Sequence, residues 1–341
     1  MRFSVFDHMD RGGMPLAQQY QERLQLIEAY DRAGFHAYHL AEHHGTPLGL
    51  ASAPSVFLAA VSQRTRRLRF GPLVYTLSLH HPLRVIEEIC MLDHLSGGRL
   101  ELGIGKGVSP IELGFFGVGL EAQQKYEECL ALILEGLEHG RLNFSGAFFT
   151  FKDVELELRP LQRPRPPLWY GVAKAETTPW AAQMGMNIVT NGPATDVARI
   201  VDRFKAEWAA GPHAGKPLPH VGMSRHVVIA ETDEEAIELA TPAYHEWFTS
   251  LLYLWRKNGV QIPLSFPDNF AGAAAMGLSI AGSVATVRDR LRDELRVSGV
   301  NYLLCRIAFG NLPFSQSMDT VRHMQAEIIP AFQDIATTAA A

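Results

Sequence analysis

Cysteine is scarce in this 341-residue chain: Cys90, Cys129 and Cys305 are its only three, and they lie far apart. An odd, dispersed set excludes a disulfide framework and a cysteine metal knuckle. No stretch approaches 18 consecutive apolar residues, so no membrane span is expected. Charge of one sign is nowhere concentrated. The 31 basic and 36 acidic residues leave a net −5, and the absence of a basic block argues against nucleic-acid binding. The opening Met1-Arg2-Phe3-Ser4-Val5-Phe6-Asp7 enters a strand pattern with no leader-like segment, so a cytoplasmic location is expected. What the chain does have is apolar mass. It is 47% hydrophobic and 20% charged, the balance of a globule with a large core.

That apolar mass is arranged rhythmically, as short strands alternating with amphipathic helices. Strands are expected at 2–6, 37–41, 68–75, 100–104, 167–172, 187–190, 224–230 and 301–307. Helices are expected after them, at about 16–33, 54–64, 82–95, 122–138, from 178, 196–208, from 233 and 314–332. Eight unbroken βα units predict an α/β fold, a single (β/α)8 TIM barrel over 1–341. Such barrels run to about 250 residues, so insertions are expected. One is a β-hairpin at about 143–166, where Phe149-Thr150-Phe151-Lys152 and Val154-Glu155-Leu156-Glu157-Leu158 alternate. The other is a Gly/Pro/Ala-rich stretch at about 257–281, readable as a lid over the barrel mouth or as a passive surface loop.

In a barrel the chemistry lies just past each strand. After the fourth strand, Gly105-Lys106-Gly107 sets a cation between two residues without side chains, a turn suited to a phosphate or simply to a tight βα connection. After the second, Glu42-His43-His44 offers imidazoles as general base, hydrogen-bond donors or metal ligands. Adjacent residues on a strand point to opposite faces, so one of the pair should enter the mouth. Phe6-Asp7-His8 could contribute to a metal site, but the ends of strands four, six and eight supply no further ligand, and no metal is expected. After the third strand, Leu73-Val74-Tyr75-Thr76-Leu77 could wall a flat ring system or belong to the core. His81, directly before Pro82, could cap the following helix. After the fifth, Thr177 and Thr178 at a helix start could hold an anion or merely cap the helix.

In this order, these pieces resemble the luciferase-like flavin monooxygenase family, best known from the bacterial luciferase subunits. The resemblance runs from residue 2 to residue 332. Its most specific parts are Glu42-His43-His44, Leu92-Asp93-His94-Leu95-Ser96-Gly97-Gly98-Arg99-Leu100-Glu101-Leu102-Gly103, Thr177-Thr178-Pro179-Trp180-Ala181-Ala182 and Ile280-Ala281-Gly282-Ser283. It implies a barrel that binds reduced FMN at its C-terminal mouth and reacts it with O2 to a C4a-peroxide, which oxidises a small organic substrate. His43, with His44 beside it, falls at the family's active-site histidine. Lys106 falls where luciferase has a phosphate-binding arginine, and Lys125 is the nearest substitute for a second one. Ala175-Glu176 replaces a serine beside the Thr177-Thr178 pair. Gly105 replaces luciferase's reactive cysteine, which sets light emission in doubt. Glu112 matches a family carboxylate, and Leu73-Val74 lies where members often carry a non-prolyl cis peptide under the isoalloxazine.

The resemblance further implies a separate flavin reductase as partner and a homodimer. The apolar stripe Val85-Ile86-Glu87-Glu88-Ile89-Cys90-Met91 could face a second subunit or the barrel. Two alternatives share the fold: an F420-dependent reductase or dehydrogenase, and a non-catalytic flavin-binding protein.

Overall fold

The computed structural model describes residues 1–261 and 266–332. Twelve strands form: β1 (Arg2–Asp7), β2 (Ala37–Leu40), β3 (Arg69–Pro72), β4 (Tyr75–Thr76), β5 (Leu102–Gly105), β6 (Arg141–Ser145), β7 (Thr150–Glu155), β8 (Leu168–Gly171), β9 (Asn187–Thr190), β10 (Val221–Ile229), β11 (Ser279–Gly282) and β12 (Tyr302–Arg306). The helices between them are α1 (Leu16–Ala33), α2 (Pro54–Arg64), α3 (Pro82–Ser96), α4 (Pro110–Phe115), α5 (Ala122–His139), α6 (Thr178–Gln183), α7 (Ala194–Ala210), α8 (Asp233–Lys257), α9 (Phe270–Ala275), α10 (Val284–Ser298) and α11 (Phe314–His323). Ten strands make one parallel sheet in the order β3-β2-β1-β12-β10-β9-β8-β5-β4, with β11 on β10. β3 and β4 are halves of one barrel strand. The first half pairs with β2 and the second with β5, and a Phe70–Leu100 bridge closes the ring. The fold is the expected (β/α)8 barrel.

Strand alternation divides the core in two. Phe3, Val5, Leu303, Cys305, Met223 and Val227 face outward into the helix layer, whereas Leu73, Trp169, Tyr302 and Leu304 meet on the axis with Phe6 and Val189. In the α3 stripe Val85, Ile86, Ile89 and Cys90 are buried within the chain, which leaves Met91 exposed. The stripe therefore faces the barrel, and its reading as a subunit contact does not hold.

Around residues 143–166 lies the antiparallel pair β6–β7. Phe149 and Phe151 from it pack edge-on against the His81 ring. His81 is thereby engaged by the hairpin and makes no side-chain cap on α3. Of the stretch 257–281, residues 262–265 lie outside the described residues. The remainder includes α9 and most of β11, which pairs with β10 from His226 to Ile229. No helix of the described residues is long and apolar enough to cross a membrane.

Candidate active site

At the C-terminal mouth a cavity of about 370 Å³ opens among the ends of β2, β4, β5 and β8, within the range of about 300–1,000 Å³ usual for ligand sites. Its walls include Phe6, His43, Leu73, Val74, Ile104, Lys106, Glu112 and Gly171. The Leu73–Val74 peptide is cis. Gly105 is packed so closely that a Cβ there would lie 2.6 Å from Val74 Cγ2. A Cβ on Gly171 would meet nothing within 4 Å, so this second missing side chain leaves free space at the rim. Gly107 takes φ +93°, a left-handed turn that glycine adopts readily, and carries the chain sharply from Lys106 into α4.

His43 enters the cavity and His44 does not. The Nδ1 of His43 lies 3.1 Å from Glu112 Oε1, and Glu112 Oε2 accepts the His44 backbone N–H at 2.7 Å. Ser109 caps α4 by accepting from Glu112 N, so the first turn of this short helix sets the carboxylate over the histidine. A carboxylate only accepts, so Nδ1 carries the proton and the Nε2 of neutral His43 is left with a lone pair.

The His44 ring turns to the buried Glu42, whose Oε1 takes both His44 Nε2 at 2.9 Å and His80 Nε2 at 2.7 Å while Oε2 accepts Thr76 N at 2.7 Å. Burial pushes Glu42 up, but the hydrogen bonds from His44, His80 and Thr76 outweigh it and hold the carboxyl at about 2. Burial likewise disfavours charge on His80, yet its bond to Glu42 raises its pKa. The Glu42 carboxylate thus ties the end of β2 to β4. His44, expected beside His43 as a catalytic group, belongs to this framework and lines neither this cavity nor the one adjoining it.

The expected phosphate residues fall in different places. Lys106 is exposed on the first cavity, and no carboxylate among the described residues pairs with its ammonium. Thr177 lines an adjoining cavity of about 530 Å³ that shares Gln123, Tyr126 and Tyr170 with the first. Thr178 is fully buried, and its hydroxyl donates to Ala175 O at 2.7 Å. It is therefore neither a cap nor a cavity group, because α6 begins directly from a 3-10 turn over Ala175–Thr177. Ala175 and Lys125 line neither cavity. On α5 it is Gln123 and Tyr126, flanking Lys125, that reach the walls. These two, with Tyr170 and Ser109, escaped the sequence reading, since nothing in their spacing marks them. Among the described residues no group of three or more His, Cys, Asp or Glu is placed to hold a metal.

Comparison with known proteins gives a consistent picture. The sequence pattern of the luciferase-like monooxygenase family matches residues 1–302. The chain is 45% identical over 330 residues to y4wF, an uncharacterised protein of Sinorhizobium fredii, covering 96% of each. It is 27% identical to the oxygenase component of a flavin-dependent trigonelline monooxygenase of Acinetobacter baylyi, across 98% of this chain and 96% of the relative. In three dimensions it resembles the monooxygenase RslO1 of Streptomyces bottropensis, with a TM-score of 0.88 at 24% identity, over 97% of this chain and all (100%) of the other.

Proposed function

The chain belongs to the luciferase-like monooxygenase family, and from that premise we propose that it is the oxygenase component of a two-component, FMN-dependent monooxygenase acting on a small organic substrate. A separate reductase delivers reduced FMN, and the chain works as a homodimer. The observation that carries the reading is one cavity lined by His43, Leu73, Val74, Lys106 and Gly171. Its fit to a flavin is physical. Leu73, Val74 and Ile104 offer an apolar wall to a flat ring, Gly171 leaves the rim open, and unpaired Lys106 offers an ammonium to the phosphate.

Reduced FMN held there supplies the two electrons that activate O2, so that one oxygen atom enters the substrate and the other leaves as water. The protein's own part is to exclude water and to manage protons. Leu79 and Leu113 extend the apolar lining of the cavity, and an apolar lining limits wasteful release of hydrogen peroxide. His43, fixed by Glu112, presents Nε2 as a proton acceptor and, once protonated, as a donor to an oxygen at the reacting edge.

Titration of the purified chain under anaerobic conditions with reduced FMN, reduced riboflavin and reduced F420 tests the cofactor. FMN should bind best, with riboflavin weaker for lack of the phosphate. Preference for F420, or O2-independent hydride transfer, would replace the proposal with the deazaflavin reading. Flavin binding without O2 uptake on any substrate, when a flavin reductase is supplied, would leave a carrier protein.

A further inference from the structure

The barrel mouth is chemically divided. Toward β4, β5 and β8 the inward rim positions are Leu73, Gly105 and Gly171, apolar or empty. On the opposite side β1, β10 and β12 contribute Phe6, His8, His226 and Arg306. Arg306 ends β12 on the same face as Tyr302 and Leu304, which lie on the barrel axis.

Three arginines are buried among the described residues: Arg23, Arg225 and Arg306. Arg23 pairs with Asp7 at 3.4 Å and donates to Ala308 O, and Arg225 pairs with Glu294 at 2.8 Å. Arg306, only 9% exposed, has neither. Among the described residues no carboxylate lies within ion-pair reach of it, and its enclosed Nε has no hydrogen-bond partner. The guanidinium instead lies over the Phe6 ring at 5.2 Å and the Trp247 ring at 5.4 Å.

Burial draws its pKa down to about 10, which leaves it charged at neutral pH. The neighbouring imidazoles have no negative charge to set against it, and burial together with the Arg306 charge keeps His8 and His226 neutral. His8 Nδ1 accepts from Trp247 Nε1 at 3.3 Å. His226 Nδ1 pairs with Ser279 Oγ at 3.2 Å, while its Nε2 is buried without a partner. Asp10, whose field reaches Arg306, accepts from Gly310 N and forms no ion pair with it. A buried cation left uncompensated destabilises a fold, and such breaches of the packing rules are expected at functional sites.

We propose that Arg306 anchors a carboxylate on the organic substrate, whose apolar body passes the edge of Phe6 into the cavity of His43. Phe6 also lines the cavity of His43, and the His8 ring bridges the two regions, 4.8 Å from Phe6 and 5.8 Å from His43. A substrate held by its carboxylate at Arg306 therefore extends toward the imidazole. The proposal rests on the monooxygenase reading for its reaction, but the anion site can be tested without it.

Benzoate and its neutral isostere benzamide, titrated calorimetrically into the wild-type chain with and without FMN, are the probes. Benzoate should bind about tenfold or more tightly than benzamide, the scale of a charge-assisted bidentate contact. Arg306→Gln should abolish that preference, while Arg306→Lys should keep part of it. Neither should change FMN affinity or the FMN-over-riboflavin preference. The thermal midpoint of Arg306→Gln should be equal to or above wild type, because an unpaired charge has been removed. If Arg306→Gln does not fold, the wild-type comparison and Arg306→Lys still decide. Equal binding of the two probes to wild type, or a preference retained in Arg306→Gln, overturns the proposal. Loss of FMN-over-riboflavin preference in Arg306→Gln overturns it too, by assigning the cation to the cofactor phosphate. A benzoate preference in a chain that binds no FMN upholds the anion site and removes only the flavin reading.

Discussion

Glu112 cannot donate a proton to His43, and that asymmetry is what makes the histidine useful. With Nδ1 committed to the carboxylate at 3.1 Å, Nε2 is the atom left to the cavity. His43→Ala should slow coupled substrate oxidation by about 10²–10⁴-fold, the range of general acid–base help, with FMN affinity nearly unchanged. Product formed against peroxide released measures it, and equal coupling in mutant and wild type would remove His43 from the mechanism. Glu112→Gln should give a smaller loss of the same kind, since an amide can donate and so permits the opposite tautomer. Lys106→Ala should weaken FMN by about 1.5–3 kcal/mol, the worth of a hydrogen bond to a charged group, and leave riboflavin unaffected. Because Lys106 is exposed, added salt should shrink that difference. His43 and Lys106 were legible because each lies just past an expected strand, and Leu73 and Val74 because the family resemblance marks the end of the third. Arg306 and His226 were not, because the expected strands run on to 307 and 230 and make both look like mid-strand core. Thr178 misled because a threonine before Pro179 has the pattern of a cap, whereas the 3-10 turn before it takes its hydroxyl inward.

Among the elements, the third barrel strand and β5 approach each other through glycine. The contact at Gly105, 2.6 Å from a would-be Cβ to Val74 Cγ2, cannot take a methyl unless the cavity wall moves. Gly105→Ala should therefore lower unfolding free energy by about 1–3 kcal/mol and weaken FMN binding together. Gly171→Ala is the contrast. Its Cβ would point into open space, so stability should stay within about 0.5 kcal/mol while flavin affinity falls. Urea midpoints alongside flavin titrations separate the two, and a Gly171→Ala chain that binds FMN normally would show that this rim is not used. The eight barrel strands were readable because apolar runs at regular spacing carry the fold. β11 was not, because Ser279–Gly282 is short and ends a stretch of glycine and alanine that reads as loop. Its strand character comes from β10, which offers a free edge beyond its pairing with β9.

Across the whole molecule, imidazoles are wholly or partly buried at both ends of the barrel. At the floor, burial, with neighbouring His220, Arg2 and Arg69, lowers His36 to about 3. Burial and adjoining charges likewise lower His39 to about 3 and His220 to about 4. At the mouth, His8 and His226 are lowered as well. Unfolding returns all five to the ordinary 6.5. Below that pH the unfolded chain binds protons that the folded chain refuses, so stability is full above 6.5 and is lost as pH falls toward 4. Glu42, held at about 2 against an ordinary 4.5, extends the loss to lower pH. Asp10 opposes it, since burial raises its carboxyl from 3.8 to about 7 and the folded state keeps that proton. The lowered imidazoles outnumber the raised carboxyls of Asp10 and Glu101, so unfolding takes up protons near pH 5, each worth about 1.4 kcal/mol per pH unit. Urea midpoints taken from pH 7 to pH 4.5 should therefore fall steeply, and His220→Asn should flatten the slope by about one proton. Midpoints that stay level over that range would mean that these imidazoles are already charged inside the barrel.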